Sequence, residues 1–325
     1  MWFIFALVAA LFWGAGDMFT KMGTDPRDKY SHLRMVVMVG AVMGIHAFVL
    51  YLCTFRCYGP LSGLQDWAAS LMGTEPLTEH FNFFTLVQYL PVSGCYILSM
   101  AIGYLGLRYL EVSVSSPVQN SSGAIVAVLC FLFLGQTMAW PQFAAVAMII
   151  TGVVLLSVFD LKDENKARKF RGEVIEEKYT VSAFAVFFPI LYAVIDALGT
   201  FGDAVVLDGW ELLTEEEAEI AYEFTFLIVG LLALLWIVVV KREKFRLWDQ
   251  REKGLGAICE TAGQFAYVYA IADNSILAAP LVSGYCLFSV LFSRIFLKEK
   301  LTRRQYAAIA LAIVGIIILG VYDEA

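Results

Sequence analysis

An all-α integral membrane protein of ten transmembrane helices, arranged as two inverted five-helix repeats, is the fold class this sequence predicts. Three observations predict it. Hydrophobic residues make up 60% of the 325, with a mean hydropathy of +0.72, against about 45–50% apolar residues in a soluble domain. Ten apolar runs approach the roughly 20 residues that a bilayer span needs. The two halves of the chain also align with each other at a fixed offset.

The first five runs cover 2–22, 34–55, 84–107, 112–134 and 138–159. The second five cover 180–201, 219–240, 254–272, 275–297 and 303–322. They group into a first repeat over 1–160, a charged cytoplasmic linker over 161–178 and a second repeat over 179–325. The first 23 residues lack a basic start and a small-residue cleavage site, and they contain Asp17, so they do not read as a signal peptide. After the second run, LSGLQDWAASLMG suits an amphipathic helix lying in the membrane interface. The acidic stretch around 208–219 reads as an external, solvated face. His46 reads as a lone packing histidine, and Gly40-x-x-x-Gly44 as a small-residue packing motif.

Orientation follows from the basic residues. Of the 23 lysines and arginines, 22 lie in loops after odd-numbered runs, and only Arg56 lies on the other side. Basic loops stay cytoplasmic. Both termini are therefore expected outside a multi-pass plasma-membrane protein. The net charge of −7 is carried by the loops. None of the six cysteines has CxxC spacing, so no disulfide framework, redox motif or zinc site is read, nor any other metal site. No nucleotide-binding loop is present, so no cofactor and no ATP hydrolysis are expected. Nothing suggests nucleic acid. The partners are a small-molecule substrate, the lipid bilayer and a coupling proton, with monomer and homodimer both open.

The repeat is clearest over spans four, five, nine and ten. At a shift of 163, Pro117 falls on Pro280, Gln142 on Gln305, Gly152 on Gly315 and Asp160 on Asp323. From Pro117 to Asp160, 12 of 44 positions are identical. Spans one and six correspond more weakly, with Trp13 over Tyr192 and Asp17 over Asp196. Five spans per half is odd, so the halves enter the membrane in opposite senses, as in many secondary transporters.

These residues resemble the drug/metabolite transporter superfamily, specifically its EamA-type ten-helix transporters. The likeness is carried by SSPV…FLFLGQ…PQFAAVAMIITGVVLL and by AAPL…IFLKEKLTRRQYAAIALAIVGIIIL. It implies ten helices, a central cavity and alternating access, and the chain is not expected to be an enzyme. Two departures stand out. The turn reads Leu-Gly-Gln at 134–136 and Leu-Lys-Glu at 297–299, so only Glu299 keeps the family's acid. Family members also generally have cytoplasmic termini, whereas the charge count here puts them outside.

The chemistry is sought in polar residues within spans. Asp17, Asp196 and Glu260 are carboxylates in apolar runs, which are costly against lipid and mark functional sites. Trp13 and Asp17 share a helix face, as do Tyr192 and Asp196, and Glu260, Gln264 and Tyr267 line another. Rings beside carboxylates suit an amine or other cation. Lys21, one turn on, offers Asp17 an intrahelical ion pair as the plain alternative. At about 1.5 Å per residue, Asp17 and Asp196 fall on opposite sides of the midplane, with Glu260 near the depth of Asp17. On this reading Asp17 and Glu260 serve the inward-facing state and Asp196 the outward-facing one. Gln119 and Asn120 form a polar stripe that lines a cavity or glues helices, and Pro117 and Pro280 are expected helix breaks or hinges.

A rival class rests on Gly14-Ala15-Gly16-Asp17, which matches the GxGD signature of intramembrane aspartyl proteases, with Asp196 as the second aspartate. The motif order disfavours it: Pro-Ala-Leu is replaced by Ala-Pro-Leu at 279–281. The sequence therefore points to a secondary transporter of a small polar metabolite, an amine or other cation before an amino acid, and a sugar or nucleotide derivative last.

Overall fold

A computed structural model describes residues 1–23, 28–73, 75, 77–106, 119–171, 183–296 and 301–323. The described residues are helical and hold no strand beyond an isolated bridge between Arg56 and His80. In chain order the helices are α1 (Trp2–Gly23), α2 (Ser31–Thr54), α3 (Pro60–Met72), α4 (Thr85–Gln88), α5 (Leu90–Gly106) and α6 (Ser122–Leu129). There follow α7 (Trp140–Arg171), α8 (Ala183–Asp203), α9 (Glu215–Leu235), α10 (Arg251–Val282), α11 (Tyr285–Phe296) and α12 (Arg303–Asp323). Wider π-helical turns extend α6 to Leu134, α8 to Gly209 and α9 to Val240.

Among the described residues, six segments are long and apolar enough to cross a membrane: Trp2–Thr20, Ser31–Thr54, Phe187–Gly209, Glu215–Val240, Leu247–Val282 and Arg303–Tyr322. Leu90–Met100, Ser122–Leu134 and Trp140–Leu156 are shorter apolar helices. Many of their large side chains point outward, among them Phe131, Leu132, Phe133 and Leu235. Outward apolar surface of this kind is what hydrocarbon, rather than water, accommodates.

Packing runs across the two halves of the chain. The most extensive interfaces pair α1 with α10, α2 with α9, α7 with α12 and α5 with α8. α6 packs on α10 and α8, and α11 on α1. One main buried cluster draws on both halves, from Ala6 and Val39 to Ile271 and Leu319.

Three expectations change here. The chain does not break at Pro280, which lies inside α10; the backbone leaves helical geometry at Asn274 (φ −160°, ψ 86°) and turns again at Ser283–Gly284. Asparagine caps helices well, and the Asn274 side chain accepts the Leu277 N–H at 3.3 Å, starting a new helical segment. The stretch around 208–219 is not simply a solvated face. Asp208 accepts the Ser275 N–H at 3.0 Å and the Gln136 amide at 2.6 Å, while Glu219 is only 1% exposed. His46 is not alone, since its Nδ1 meets the Glu223 carboxylate at 2.7 Å. Pro117, Glu299, the Lys21 side chain and much of the 161–178 linker lie outside the described residues.

The 61–73 stretch does form α3, with none of its residues buried. Gln65 ties it down by donating to the carbonyls of Leu52 and Phe55, and Arg56 pairs with Asp66 at 2.6 Å. Leu64, Trp67 and Leu71 are left facing outward.

Candidate functional site

The packing of α1 determines where Asp17 points. A β-carbon on Gly14 would fall 2.8 Å from the Ser289 nitrogen on α11, and one on Gly16 would fall 3.5 Å from the Gly256 carbonyl on α10. Gly14 therefore lets α1 pack closely on α11, while at Gly16 the approach to α10 is ordinary van der Waals contact. The close approach accounts for Gly14 without any proteolytic chemistry. It turns Trp13 and Asp17 into a cavity of about 280 Å³.

All eight residues singled out in the sequence as binding candidates line this cavity: Trp13 and Asp17 from α1, Gln119 and Asn120 before α6, Tyr192 and Asp196 from α8, Glu260 and Gln264 from α10. They reach it from four places in the chain. Asp196 is met by the hydroxyls of Ser99, at 3.4 Å, and Ser122. The Trp13 indole N–H reaches the Glu260 carbonyl at 3.3 Å, and its ring lies 5.2 Å from that of Tyr267. Tyr285 stands edge-on to Trp13 at 6.1 Å. Gln264 is 4% exposed and its amide nitrogen finds no hydrogen-bond partner among the described residues. A buried donor without an acceptor is costly. An acceptor atom on a bound molecule would remove that cost.

Behind the cavity lies a polar cluster of buried tyrosines around Asp203, which is 0% exposed. The hydroxyls of Tyr89 and Tyr96 donate to its carboxylate, the latter at 2.6 Å. Tyr96 also shares a hydrogen bond of 2.6 Å with Tyr267, and its oxygen lies 3.1 Å from the Thr200 hydroxyl, which donates to it. Tyr96 and Tyr267 belong to both the cluster and the cavity wall.

A family model described as the EamA-like transporter family matches residues 1–158 and 217–321. The chain belongs to the EamA-like transporter family. With its long apolar helices, this EamA-like protein is a multi-pass membrane protein. It is similar to Uncharacterized protein MJ1333.1 of Methanocaldococcus jannaschii, with 28% identity over 155 residues, covering 48% of this chain and 95% of that protein. It also resembles a solved crystal structure, described only as that of a protein, with TM-score 0.64 and 12% identity. That likeness covers 98% of this chain and 96% of the other, and at that identity it shows the fold alone.

Reading the sequence of this EamA-like protein missed Asp203, Glu219 and Glu223 as buried acids. Glu219 and Glu223 were locally visible, four residues apart in an apolar run, a spacing that stacks them on one helix face. An acidic stretch just before them made them look like the end of a solvated loop.

Proposed function

We propose that this protein is a secondary transporter carrying a small polar metabolite across the plasma membrane by alternating access. An organic amine or other cation is the preferred substrate, and an amino acid comes next. The observation that carries this reading is the cavity. Three carboxylates and six aromatic rings (Trp13, Tyr96, Tyr192, Tyr222, Tyr267 and Tyr285) line it, and its described lining includes no lysine, arginine or histidine. Aromatic faces and carboxylates attract a cation together, whereas a phosphate-bearing substrate would lack a counter-ion. Asp17 or Asp196 is the proposed proton carrier.

The proposed architecture is ten spans in two inverted repeats of five. The packing supports it. Under a two-fold axis exchanging the repeats, the α1–α10 interface maps onto α5–α8, while α2–α9 and α7–α12 map onto themselves. A finer detail agrees: Gly152 approaches Ala308 and Ala312, and its counterpart Gly315 approaches Ala145 and Ile149, the residues 163 positions earlier. The relative from M. jannaschii adds support, since nearly all of it aligns with about half of this chain. Both termini are proposed to lie outside, a reading supported by the charge count.

The test is a thermal-stability screen of the purified full-length protein against amines, quaternary ammonium ions, amino acids and sugars. Stabilisation by cations that disappears in Asp17→Asn or Asp196→Asn is expected. Stabilisation only by anions or neutral sugars, unchanged in both variants, would overturn the cation reading.

A further inference from the structure

Outside the cavity, α2 and α9 pack as antiparallel neighbours. A β-carbon on Gly40 would lie 2.7 Å from the Phe226 carbonyl and 3.1 Å from the Gly230 Cα, so the backbones approach closely there. Six residues further along α2 comes His46, and seven residues back along α9 comes Glu223. Glu219 stands one turn before it on the same face. Donor atoms from His46, Glu219 and Glu223 all lie within 4.8 Å of one another.

The three groups are not settled as a hydrogen-bonded set. His46 Nδ1 reaches both oxygens of Glu223, at 2.9 and 2.7 Å. Among the described residues no N–H or hydroxyl donor reaches either oxygen of Glu219, whose carboxyl group meets only that of Glu223, although the residue is 1% exposed. Glu223 is 0% exposed and brings a second carboxylate to the same place. Two buried carboxylates with one imidazole between them lack positive charge, and a buried anion is tolerated only when paired, metal-bound or neutralised. His46 itself is one-third exposed.

We propose that His46, Glu219 and Glu223 form a binding site for one divalent transition-metal ion, with zinc or manganese as the fitting class. A tetrahedral zinc ion bonded at about 2.0–2.2 Å to each donor holds its donors roughly 3.3–3.6 Å apart, so side-chain rotations that draw the three donors together by about an ångström would close the set on one ion. Imidazole with carboxylates suits zinc and manganese, whereas magnesium prefers an all-oxygen shell. The ion joins α2 of the first half to α9 of the second. None of the three residues lines the cavity, so the site stands independently of the transport reading. No metal-ligand spacing is visible along the chain, because the histidine and the glutamates are more than 170 residues apart.

The experiment uses full-length protein in detergent, stripped with a chelator, exposed to zinc chloride and desalted. Metal content and thermal stability are then measured. About one zinc per chain and a raised Tm are expected in the wild type and in Asp196→Asn, with content falling at least about tenfold in Glu219→Gln and His46→Ala. X-ray absorption at the zinc edge of the wild type should show a nitrogen and oxygen shell containing an imidazole. No zinc on the wild type, sulfur in the shell, undiminished zinc in Glu219→Gln, or magnesium bound as well as zinc would each overturn the site. The cavity's response to amines in the wild type is read separately, so the two proposals fail separately.

Discussion

Asp203 and Asp196 are both carboxylates on α8, seven residues apart, with different surroundings. Asp203 is enclosed by tyrosine hydroxyls from α5, α10 and the segment just before α5, whereas Asp196 faces the cavity and meets serine hydroxyls. Their expected mutational responses differ accordingly. Tyr96→Phe removes a donor from a fully buried carboxylate, and leaving part of a buried polar group unsatisfied costs about 1–3 kcal/mol. It should lower the Tm of the ligand-free protein. Asp196→Asn keeps a side-chain oxygen to accept from Ser99 and Ser122, so its Tm should stay near that of the wild type while stabilisation by cations is lost. A large Tm loss in Asp196→Asn together with retained cation response would reverse that assignment. Gln264→Leu removes an unpartnered buried donor. It should leave the empty protein equally or more stable and weaken ligands bearing an oxygen acceptor, as a titration of thermal shift against ligand concentration would read.

At the scale of elements, the break in α10 shows what holds an interrupted helix inside a membrane protein. A backbone N–H freed at such a break must find another acceptor. The Ser275 N–H finds Asp208, whose carboxylate also accepts from the Ser275 hydroxyl at 2.7 Å and from Gln136. Gly135, at φ 66°, makes the turn that delivers Gln136. Asp208→Ala should therefore destabilise the protein by about 1–3 kcal/mol. Asp208→Asn should cost less, because its carbonyl still accepts the Ser275 N–H; unfolding curves of the two variants would rank them. The sequence made the cavity legible and this junction illegible for the same physical reason. Asp17, Asp196 and Glu260 are anomalies within their own apolar runs, so each announces itself locally. Asp208, Gln136 and Ser275 are ordinary polar residues near helix ends, and only their convergence from three distant segments gives them a task. The pairing of His46 with Glu223 was hidden in the same way, and Pro280 misled because a proline's cost is local while Asn274's capping is equally cheap and less conspicuous.

For the molecule as a whole, the proposed orientation has a direct test. Single cysteines or tags placed at the two ends of the chain should be labelled from outside intact cells, and a cysteine placed near Lys162 should not; the reverse pattern would invert the topology. The cross-half packing described above also bears on how the protein comes to exist. Helix α1 has its principal surface on α10, α2 on α9 and α7 on α12, so each early helix is made long before the helix that covers it. The first half must wait in the bilayer with its Gly14 and Gly40 surfaces and its one cavity carboxylate, Asp17, uncovered by the second half. Two genes encoding residues 1–160 and 161–325 should consequently yield folded protein when expressed together and degraded fragments when expressed singly. The halves are thus like the two sides of a zip: each is complete as a chain, and neither closes on itself.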